Sequence, residues 1–214
     1  MSGAGGASPG LLLAFEGVDG CGKSTQVELC ARWLTQQRPA RRVTVLREPG
    51  SSVLGERLRD VLLHGEPIGA CAEMLLYMAA RAELYEQSVL PALAAGDAVV
   101  LDRSHYSTAA YQGFGLGLPV DEILALAQRV TAGRDPDRVV LLDLPPERAA
   151  ERLGGRDDTA HDRIERRDGS YFRRVAQGFR ELARREPARF RVVPAEGSVE
   201  QVAAAVREVL ADVA

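Results

Sequence analysis

Residues 11–26 read LLLAFEGVDGCGKSTQ, and this stretch decides the fold. The apolar run Leu11–Phe15 has the pattern of a strand buried in a parallel sheet. Residues Gly17–Ser24 match the phosphate-binding loop pattern GxxxxGK[ST] in full. The residues from about Ser24 to Gln37 carry a helical pattern. A strand, a phosphate-binding loop and a helix in this order form the context that makes the pattern specific for nucleotide binding.

The residue types of the loop suit phosphate chemistry. Glycines let the backbone approach phosphate oxygens without an intervening Cβ, and the N–H groups that begin the helix point at the anion. Lys23 adds a compact positive charge, and the Ser24 hydroxyl can hold Mg²⁺. Lys23 is also the only lysine among 27 basic residues. A bias towards arginine is a property of overall composition, so the single lysine marks a position that requires an ammonium group.

The composition excludes several classes of protein. A chain of 214 residues with 46% hydrophobic content predicts one domain, or at most two small ones, with an ordinary core rather than a disordered or fibrous chain. Thirty acidic residues against 27 basic ones leave a net charge of −3, which offers no global field for a nucleic-acid backbone.

Cysteine usage and the N-terminal sequence predict a cytoplasmic protein that does not bind a membrane. Cys21, Cys30 and Cys71 have neither the spacing of a disulfide framework nor that of a zinc site, which suits a reducing compartment. Residues 1–10 are small, lack a basic flank and are expected to form a flexible tail. The apolar run that follows is too short for a signal peptide or a membrane span.

The pattern along the rest of the chain alternates strands with helices. Further strands are predicted at Val43–Arg47, Ala98–Leu101, Arg138–Leu142 and Arg189–Val193, and helices notably at Cys71–Ala94, Arg163–Arg185 and Val199–Val213. This order predicts an α/β fold of the phosphate-loop NTPase type: a doubly wound, five-stranded parallel sheet with helices on both faces, in one domain over residues 11–214. Ligands of such sheets bind beyond the carboxyl ends of the strands.

Polar residues at those strand ends indicate phosphoryl transfer. Asp19 lies among the expected phosphates and therefore needs a cation or a substrate hydroxyl beside it. Asp102 and Arg103 follow a strand and combine a metal-holding acid with a phosphate clamp. His64, His105 and His161 are scattered and suggest no covalent nucleophile. Positioning and charge neutralisation suffice for a kinase that acts on a small phosphorylated or hydroxylated acceptor.

Residues 153–162, LGGRDDTAHD, have the composition of a mobile lid: paired glycines, charges and little apolar content. Arg152, Arg156 and Arg163 in and around this stretch can close over a transferring phosphoryl group. A plain solvated loop, with each arginine on a solvated face, is the alternative.

Taken together, these segments resemble the thymidylate kinase family, whose members phosphorylate dTMP to dTDP with ATP. The resemblance covers nearly the whole chain from Leu11 onwards. Its motifs are FEGVDGCGKSTQ at 15–26, REPG at 47–50, GERLR at 55–59, LLYMAAR at 75–81, DRSHYSTAAYQG at 102–113 and DRIE at 162–165. Ser51, Ser52 and Ser104 depart from the family pattern, and the predicted lid is short and weakly basic.

The resemblance implies a dTMP site formed by Asp19, Glu48, Arg59, Tyr77, Arg81, Arg103, Thr108, Tyr111 and Gln112. In this assignment Arg59 and Arg103 hold the acceptor phosphate, and Asp19 lies near the sugar 3′-hydroxyl and the metal. Tyr77 stacks on thymine and Arg81 bonds to its carbonyl edge. Thr108 and Gln112 line the same pocket, and Tyr111 lies against the deoxyribose.

The resemblance also implies the donor site and the catalytic groups. The ATP phosphates are assigned to Gly17, Gly20, Cys21, Gly22, Lys23, Ser24 and Thr25, and Mg²⁺ to Ser24, Asp19 and Asp102. The catalytic residues are expected to be Lys23, Asp19, Arg103, Arg156 and Arg152, because Gly20 stands where one subgroup has an arginine and the lid then supplies that charge. A homodimer is expected from the same likeness.

Two other functions remain open at this point. One is a small kinase for a different monophosphate or for a deoxynucleoside, although Arg59 and Arg103 favour an acceptor that already carries a phosphate. The other is a nucleotide-dependent switch that regulates a partner. A switch should show guanine-selecting motifs and a nucleotide-sensing loop, and neither is present in the sequence.

Overall fold

A five-stranded sheet forms the centre of the computed structural model, which describes residues 10–154 and 162–213. Its strands are β1 (Leu11–Glu16), β2 (Val43–Arg47), β3 (Ala98–Asp102), β4 (Arg138–Asp143) and β5 (Phe190–Pro194). All neighbouring strands are parallel, in the order β2-β3-β1-β4-β5. The predicted parallel α/β fold is therefore confirmed, and each strand begins and ends within one residue of its predicted bounds.

The connections between the strands are helical. In the described ranges the α-helices are α1 (Lys23–Gln37), α2 (Val53–His64), α3 (Ala70–Leu84), α4 (Leu90–Ala94), α5 (His105–Thr108), α6 (Val120–Val130), α7 (Pro146–Gly154), α8 (Gly169–Arg185) and α9 (Val199–Val209). α1 packs against α9 and contacts β1, β2 and β3, whereas α4 contacts β3 and α8 contacts β4 and β5. The chain reverses its direction across the sheet after β2, and the right-handed rule for such connections then predicts helices on both faces.

Three of the predicted helices differ in detail. The helix predicted at Val199–Val213 ends at Val209. The helix predicted at Cys71–Ala94 is α3 and α4 joined by a π-helical turn at Tyr85–Val89, which ends two residues before Pro91. Pro91 cannot donate a backbone hydrogen bond, and a widened turn is one way for a continuous helix to accommodate proline. The helix predicted from Arg163 begins only at Gly169, because the Asp168 side chain caps it by accepting from the backbone N–H of Ser170 and of Tyr171.

The register of the sheet brings three polar strand ends to one edge. β1 is buried along its whole length and lies between β3 and β4. Asp102 at the end of β3 is paired with Phe15 of β1 and with Arg47 of β2. Glu16, Arg47 and Asp102 therefore end side by side, at the edge where the phosphate-binding loop begins.

Parts of two predicted segments lie outside the described residues: 1–9 of the tail and 155–161 of the lid, the latter including Arg156. Within the described ranges, no helix has both the length and the apolar character needed to cross a membrane.

Candidate active site

The glycines of the phosphate-binding loop are required by its backbone. Gly17 has φ 140°, and a Cβ there would lie 2.7 Å from the carbonyl oxygen of Leu142. Gly20 has φ 83°, and its Cβ would lie 2.5 Å from the carbonyl oxygen of Ala149. Both conformations are ones that side chains rarely adopt, and both positions lack the space for one. The loop therefore presses closely against the end of β4 and against α7.

Lys23 is held by the loop that precedes it. Its Nζ donates hydrogen bonds to the carbonyl oxygens of Gly17, at 3.1 Å, and Val18, at 2.8 Å, and the residue is only 7% exposed. Because Lys23 begins α1, its ammonium group lies beside the free N–H groups of the helix start. Both features attract an anion to the same place.

A crevice opens along this loop and contains most of the predicted phosphate-binding residues. Its lining comprises Asp19, Gly20, Gly22, Lys23, Ser24, Thr25, Arg47, Glu48, Arg59, Asp102, Arg103, Leu153, Asp162 and Glu165. Gly17 and Cys21 lie in the loop but do not line the crevice, and Cys21 is buried against the core. Arg47 and Glu165 were not predicted as site residues, and Leu153 and Asp162 are the two ends of the predicted lid.

Two oxygen-bearing side chains in the crevice suit a magnesium ion. The Ser24 hydroxyl donates to Oδ2 of Asp102 at 2.7 Å, so a hydroxyl and a carboxylate converge at the start of α1. Oxygen ligands of this kind, completed by substrate phosphates and water, are the set that Mg²⁺ prefers. Asp19, the third predicted ligand, lines the same crevice but is engaged by other side chains.

A second cavity adjoins the crevice and is partly open to solvent. All nine residues predicted for the acceptor line it: Asp19, Glu48, Arg59, Tyr77, Arg81, Arg103, Thr108, Tyr111 and Gln112. The crevice and the cavity share Asp19, Glu48, Arg59, Arg103 and Asp162. These five side chains can therefore contact a ligand in the crevice and a ligand in the cavity.

Asp19 and Arg103 form an ion pair at the junction of the two spaces. The Arg103 guanidinium also donates to the carbonyl oxygen of Gly17 at 3.2 Å and to Ser107 Oγ at 3.0 Å. The Tyr111 hydroxyl donates to the second carboxylate oxygen of Asp19 at 2.8 Å. Burial by itself would raise the pKa of Asp19, but the charges of Arg103 and Lys23 outweigh it and lower this pKa to about 2. Asp19 is consequently ionised at neutral pH.

The helix α3 forms one wall of the cavity. Tyr77 and Arg81 lie one helical turn apart on one face of α3 and both line the cavity. Arg81 is fully buried, with Nε 2.6 Å from a Glu48 carboxylate oxygen and Nη2 3.1 Å from Thr108 Oγ1. Burial raises the pKa of Glu48 although Arg81 opposes this. The guanidinium of Arg81 is thus held in a fixed orientation at the cavity wall.

Glu16 supports the candidate site, although the sequence pattern did not single it out. Its buried carboxylate accepts hydrogen bonds from the backbone N–H and hydroxyl groups of Ser104 and Ser107, at 2.5–3.1 Å. These bonds hold the turn after β3, where Arg103 has the unusual φ of 77°. Ser104, which departs from the family pattern, is therefore part of the hydrogen-bond network around Glu16. The sequence signal that could have indicated Glu16 is an acidic residue at the end of a buried strand.

The serines after Gly50 also have structural roles. Ser52 caps α2 by accepting from the backbone N–H of Gly55 at 2.9 Å, and Ser51 Oγ accepts from the N–H of Arg47 at 2.8 Å. α2 carries Arg59, whose guanidinium donates to the carbonyl oxygen of Pro49 at 3.1 Å. This departure from the family pattern keeps α2 capped, and α2 holds Arg59 at the cavity wall.

The arginines near the predicted lid are placed differently from one another. Arg152 donates to the carbonyl oxygen of Ala195 at 2.9 Å and lines neither the crevice nor the cavity. Arg163 donates to the carbonyl oxygen of Leu62 at 3.0 Å and is paired with Glu73 at 2.7 Å. Arg163 therefore serves to anchor the chain after residue 161. The assignment of a catalytic lid arginine, Arg152 or Arg156, stays a prediction.

His105 is buried behind the cavity and lines neither space. Burial lowers its pKa to about 3, assisted by the positive charges of Arg81 and Arg189. The imidazole is therefore neutral at pH 7 and lies outside both spaces.

Comparison with known proteins identifies the family. A family model described as thymidylate kinase matches residues 15–206. The chain is 44% identical over 194 residues to a thymidylate kinase from Synechococcus sp. (strain JA-2-3B'a(2-13)), covering 91% of each chain. It is 38% identical over 193 residues to a thymidylate kinase from Kosmotoga olearia, covering 90% of this chain and 91% of the relative.

A solved structure agrees with these sequence matches. The crystal structure of thymidylate kinase from Ehrlichia chaffeensis matches this fold with a TM-score of 0.77 at 29% identity, covering 94% of this chain and 99% of that chain. Since family model, relatives and fold agree over almost the entire length, the chain belongs to the thymidylate kinase family and is an enzyme, a kinase of nucleotide biosynthesis.

Proposed function

We propose that this protein transfers the terminal phosphoryl group of ATP to dTMP, forming dTDP for dTTP synthesis, with Mg²⁺ as cofactor. The observation that supports this proposal is the pair of adjoining spaces that share Asp19 and Arg103. One space has the phosphate-binding loop, and the other is lined by the aromatic ring of Tyr77 and by the guanidinium groups of Arg59, Arg81 and Arg103. Two nucleotides bound in these spaces place their phosphates at one junction, as direct in-line transfer requires.

The donor side binds through charge and backbone. The N–H groups at the start of α1 and the Lys23 ammonium hold the ATP phosphates and stabilise the charge that develops on the transferred group. Ser24 and Asp102 hold Mg²⁺, which when bound neutralises phosphate charge. Residues 153–162 act as the lid that excludes water, with Arg152 or Arg156 adding positive charge.

The acceptor side recognises a monophosphate. Arg59 and Arg103 provide two guanidinium groups for the acceptor phosphate, which is a reason to prefer a monophosphate over a neutral nucleoside. Tyr111 and Asp19 face the sugar, and Tyr77 faces the base. The ionised Asp19 can accept a hydrogen bond from the 3′-hydroxyl.

A coupled assay tests the reaction. The purified protein with ATP and Mg²⁺ should release ADP with dTMP as acceptor, and dTDP should be found as product by chromatography. Release of ADP with GMP, UMP or thymidine but not with dTMP would overturn the proposal. Omission of Mg²⁺ should abolish turnover.

Replacement of Tyr77 by alanine should weaken dTMP binding by about 1–3 kcal/mol, because a stacking surface for the base is lost. Isothermal titration calorimetry measures this change directly. Tyr77→Phe keeps the ring and is the matched control, with an expected affinity near that of the wild type. Equal dTMP affinity in Tyr77→Ala would remove Tyr77 from the base site.

We propose that the enzyme is a homodimer formed through α3. The face of α3 opposite Tyr77 is exposed and carries Cys71, Leu75 and Ala79 at helical spacing, and Leu75 is 50% exposed. Burial of this apolar stripe against a second copy would brace the helix that forms the base site.

Leu75→Glu should convert the dimer to a monomer, because it places a charge in the centre of the apolar stripe. Sedimentation equilibrium at several concentrations measures the change. Val199→Glu on α9 is the control, since Val199 is similarly exposed, at 47%, but lies elsewhere. A monomeric wild type, or a dimeric Leu75→Glu variant, would contradict the proposal.

We also propose a cytoplasmic location for the enzyme. Its three cysteines are all free thiols, as a reducing compartment favours. Fractionation of cells that express the protein tests this, and recovery with secreted proteins would contradict it.

A further inference from the structure

Glu73 connects the base site to the chain that follows residue 161. This residue of α3 is fully buried, one helical turn before Tyr77. One carboxylate oxygen accepts a hydrogen bond from Nε2 of Gln112 at 2.8 Å. The other is 2.7 Å from the guanidinium groups of both Arg163 and Arg167. A buried carboxylate in this arrangement has only donors around it.

The Glu73 carboxylate dictates which way the Gln112 amide faces. An amide has an NH₂ group that donates and an oxygen that accepts, whereas the Glu73 carboxylate, which is paired with two guanidinium groups, offers acceptor oxygens to its neighbours. The NH₂ group must therefore face Glu73, because the reverse orientation would set two acceptor oxygens against each other in a buried place. The amide oxygen is then the atom of Gln112 that can serve the cavity.

Arg81 supplies the complementary donors on the same wall. Bonds to Glu48, Thr108 and the sulfur of Met78 use three of its five N–H groups, which leaves two to donate to a ligand. The cavity wall thus offers donors from Arg81 and an acceptor from Gln112.

Thymine and uracil match this wall, whereas cytosine does not. Thymine presents an N3–H donor beside a C4 carbonyl acceptor. Cytosine presents the reverse, an unprotonated N3 acceptor beside a C4 amino donor. Buried groups that are left unpaired in this way reject a ligand more strongly than a missing apolar contact does.

We propose that Glu73 is a positioning residue that sets base specificity, by fixing the amide of Gln112 so that the cavity takes a base with an N3–H and a C4 carbonyl and rejects cytosine. This inference rests on the proposed function, since it takes dTMP as the acceptor. Glu73 acts through Gln112 and does not itself line the cavity.

The test compares dissociation constants of dTMP, dUMP and dCMP in the wild type and in Glu73→Gln, by calorimetry with competition for weak ligands. Glutamine at 73 can donate as well as accept, so the Gln112 amide can face either way. The preference for dTMP over dCMP should fall about tenfold or more. The ratio for dTMP over dUMP should stay constant, because both bases have the same N3–H and C4 carbonyl.

Arg167→Gln is the matched control. It breaks one ion pair of Glu73 but leaves the bond to Gln112, so the ratio of dTMP to dCMP affinity should match the wild type. In a Gln112→Met background, addition of Glu73→Gln should change this ratio no further, because the amide through which Glu73 acts is gone.

An unchanged preference for dTMP over dCMP in folded Glu73→Gln would overturn the inference. A fall of the same size in the dTMP to dCMP affinity ratio of Arg167→Gln would also overturn it. The effect would then come from a general loosening of the ion pairs around Glu73. If Glu73→Gln does not fold, Glu73→Asp replaces it in the test. The shorter side chain keeps the carboxylate but moves it away from Gln112, so the same fall in the preference for dTMP over dCMP is expected. Failure of the wild type to use dTMP would instead refute the proposed function.

Discussion

Lys23→Arg should lower kcat for dTMP phosphorylation by about 10²–10³-fold, although it keeps the positive charge. The Lys23 ammonium fits between the carbonyl oxygens of Gly17 and Val18 and is almost fully buried. A guanidinium is planar and larger, and it presents its charge over a fork rather than at a point. It can neither occupy this position nor deliver a compact charge to the transferred phosphoryl group.

Steady-state kinetics with saturating ATP and dTMP measures the effect of Lys23→Arg. Arg32→Lys is the control, because Arg32 is exposed on the same helix and the substitution is the reverse one. Its kcat should equal that of the wild type, and thermal unfolding should show that both variants are folded. Normal turnover in Lys23→Arg would mean that the site requires only charge.

Arg103→Gln should lower kcat by a similar factor, about 10²–10³, and raise the KM for dTMP. Arg103 lines both the crevice and the cavity, and it pairs with Asp19 at their junction. Its removal takes away a proposed ligand of the acceptor phosphate and also the largest influence that opposes burial at Asp19. The pKa of Asp19 should therefore rise in this variant.

The pH dependence separates the two roles of Arg103. With its pKa at about 2, Asp19 stays ionised in the wild type, so its protonation should not lower activity above about pH 4. In Arg103→Gln the higher pKa should move the acidic loss of activity to higher pH. Arg59→Gln is the control: it should raise the KM for dTMP without shifting the profile. If Arg103→Gln alters the KM for dTMP but leaves kcat unchanged, Arg103 contributes to acceptor binding and not to the transfer step.

Much of the candidate site was predictable from residue patterns in the sequence. The phosphate-binding loop was predictable, because glycines, lysine and serine at fixed spacing after a buried strand have few other uses. The nine acceptor residues were named from motif resemblance, and all of them line the cavity. Glu73 was missed although it precedes Tyr77 and Arg81 at helical spacing, because an acid in a helix usually faces solvent.

The arginines were less predictable than the loop. In a chain with 26 arginines, position in the sequence does not distinguish a guanidinium that clamps a phosphate from one that holds a backbone carbonyl. Arg163 seemed suited to close over the phosphates, yet it binds Leu62 and Glu73. Arg152 lies against Ala195. A long side chain has many partners within reach, and only the packed structure selects among them.

The parallel sheet and the phosphate-binding loop at the end of β1 could be predicted from the sequence, because apolar runs, helical periodicity and the spacing of glycines are local properties. The acceptor residues were named from the family resemblance instead. Only the tertiary structure decided which charges meet, since Arg103 reaches Asp19 across 84 residues and Gln112 reaches Glu73 across 39. Those pairings arise where strand ends and helices converge, and burial there makes each polar partner obligatory.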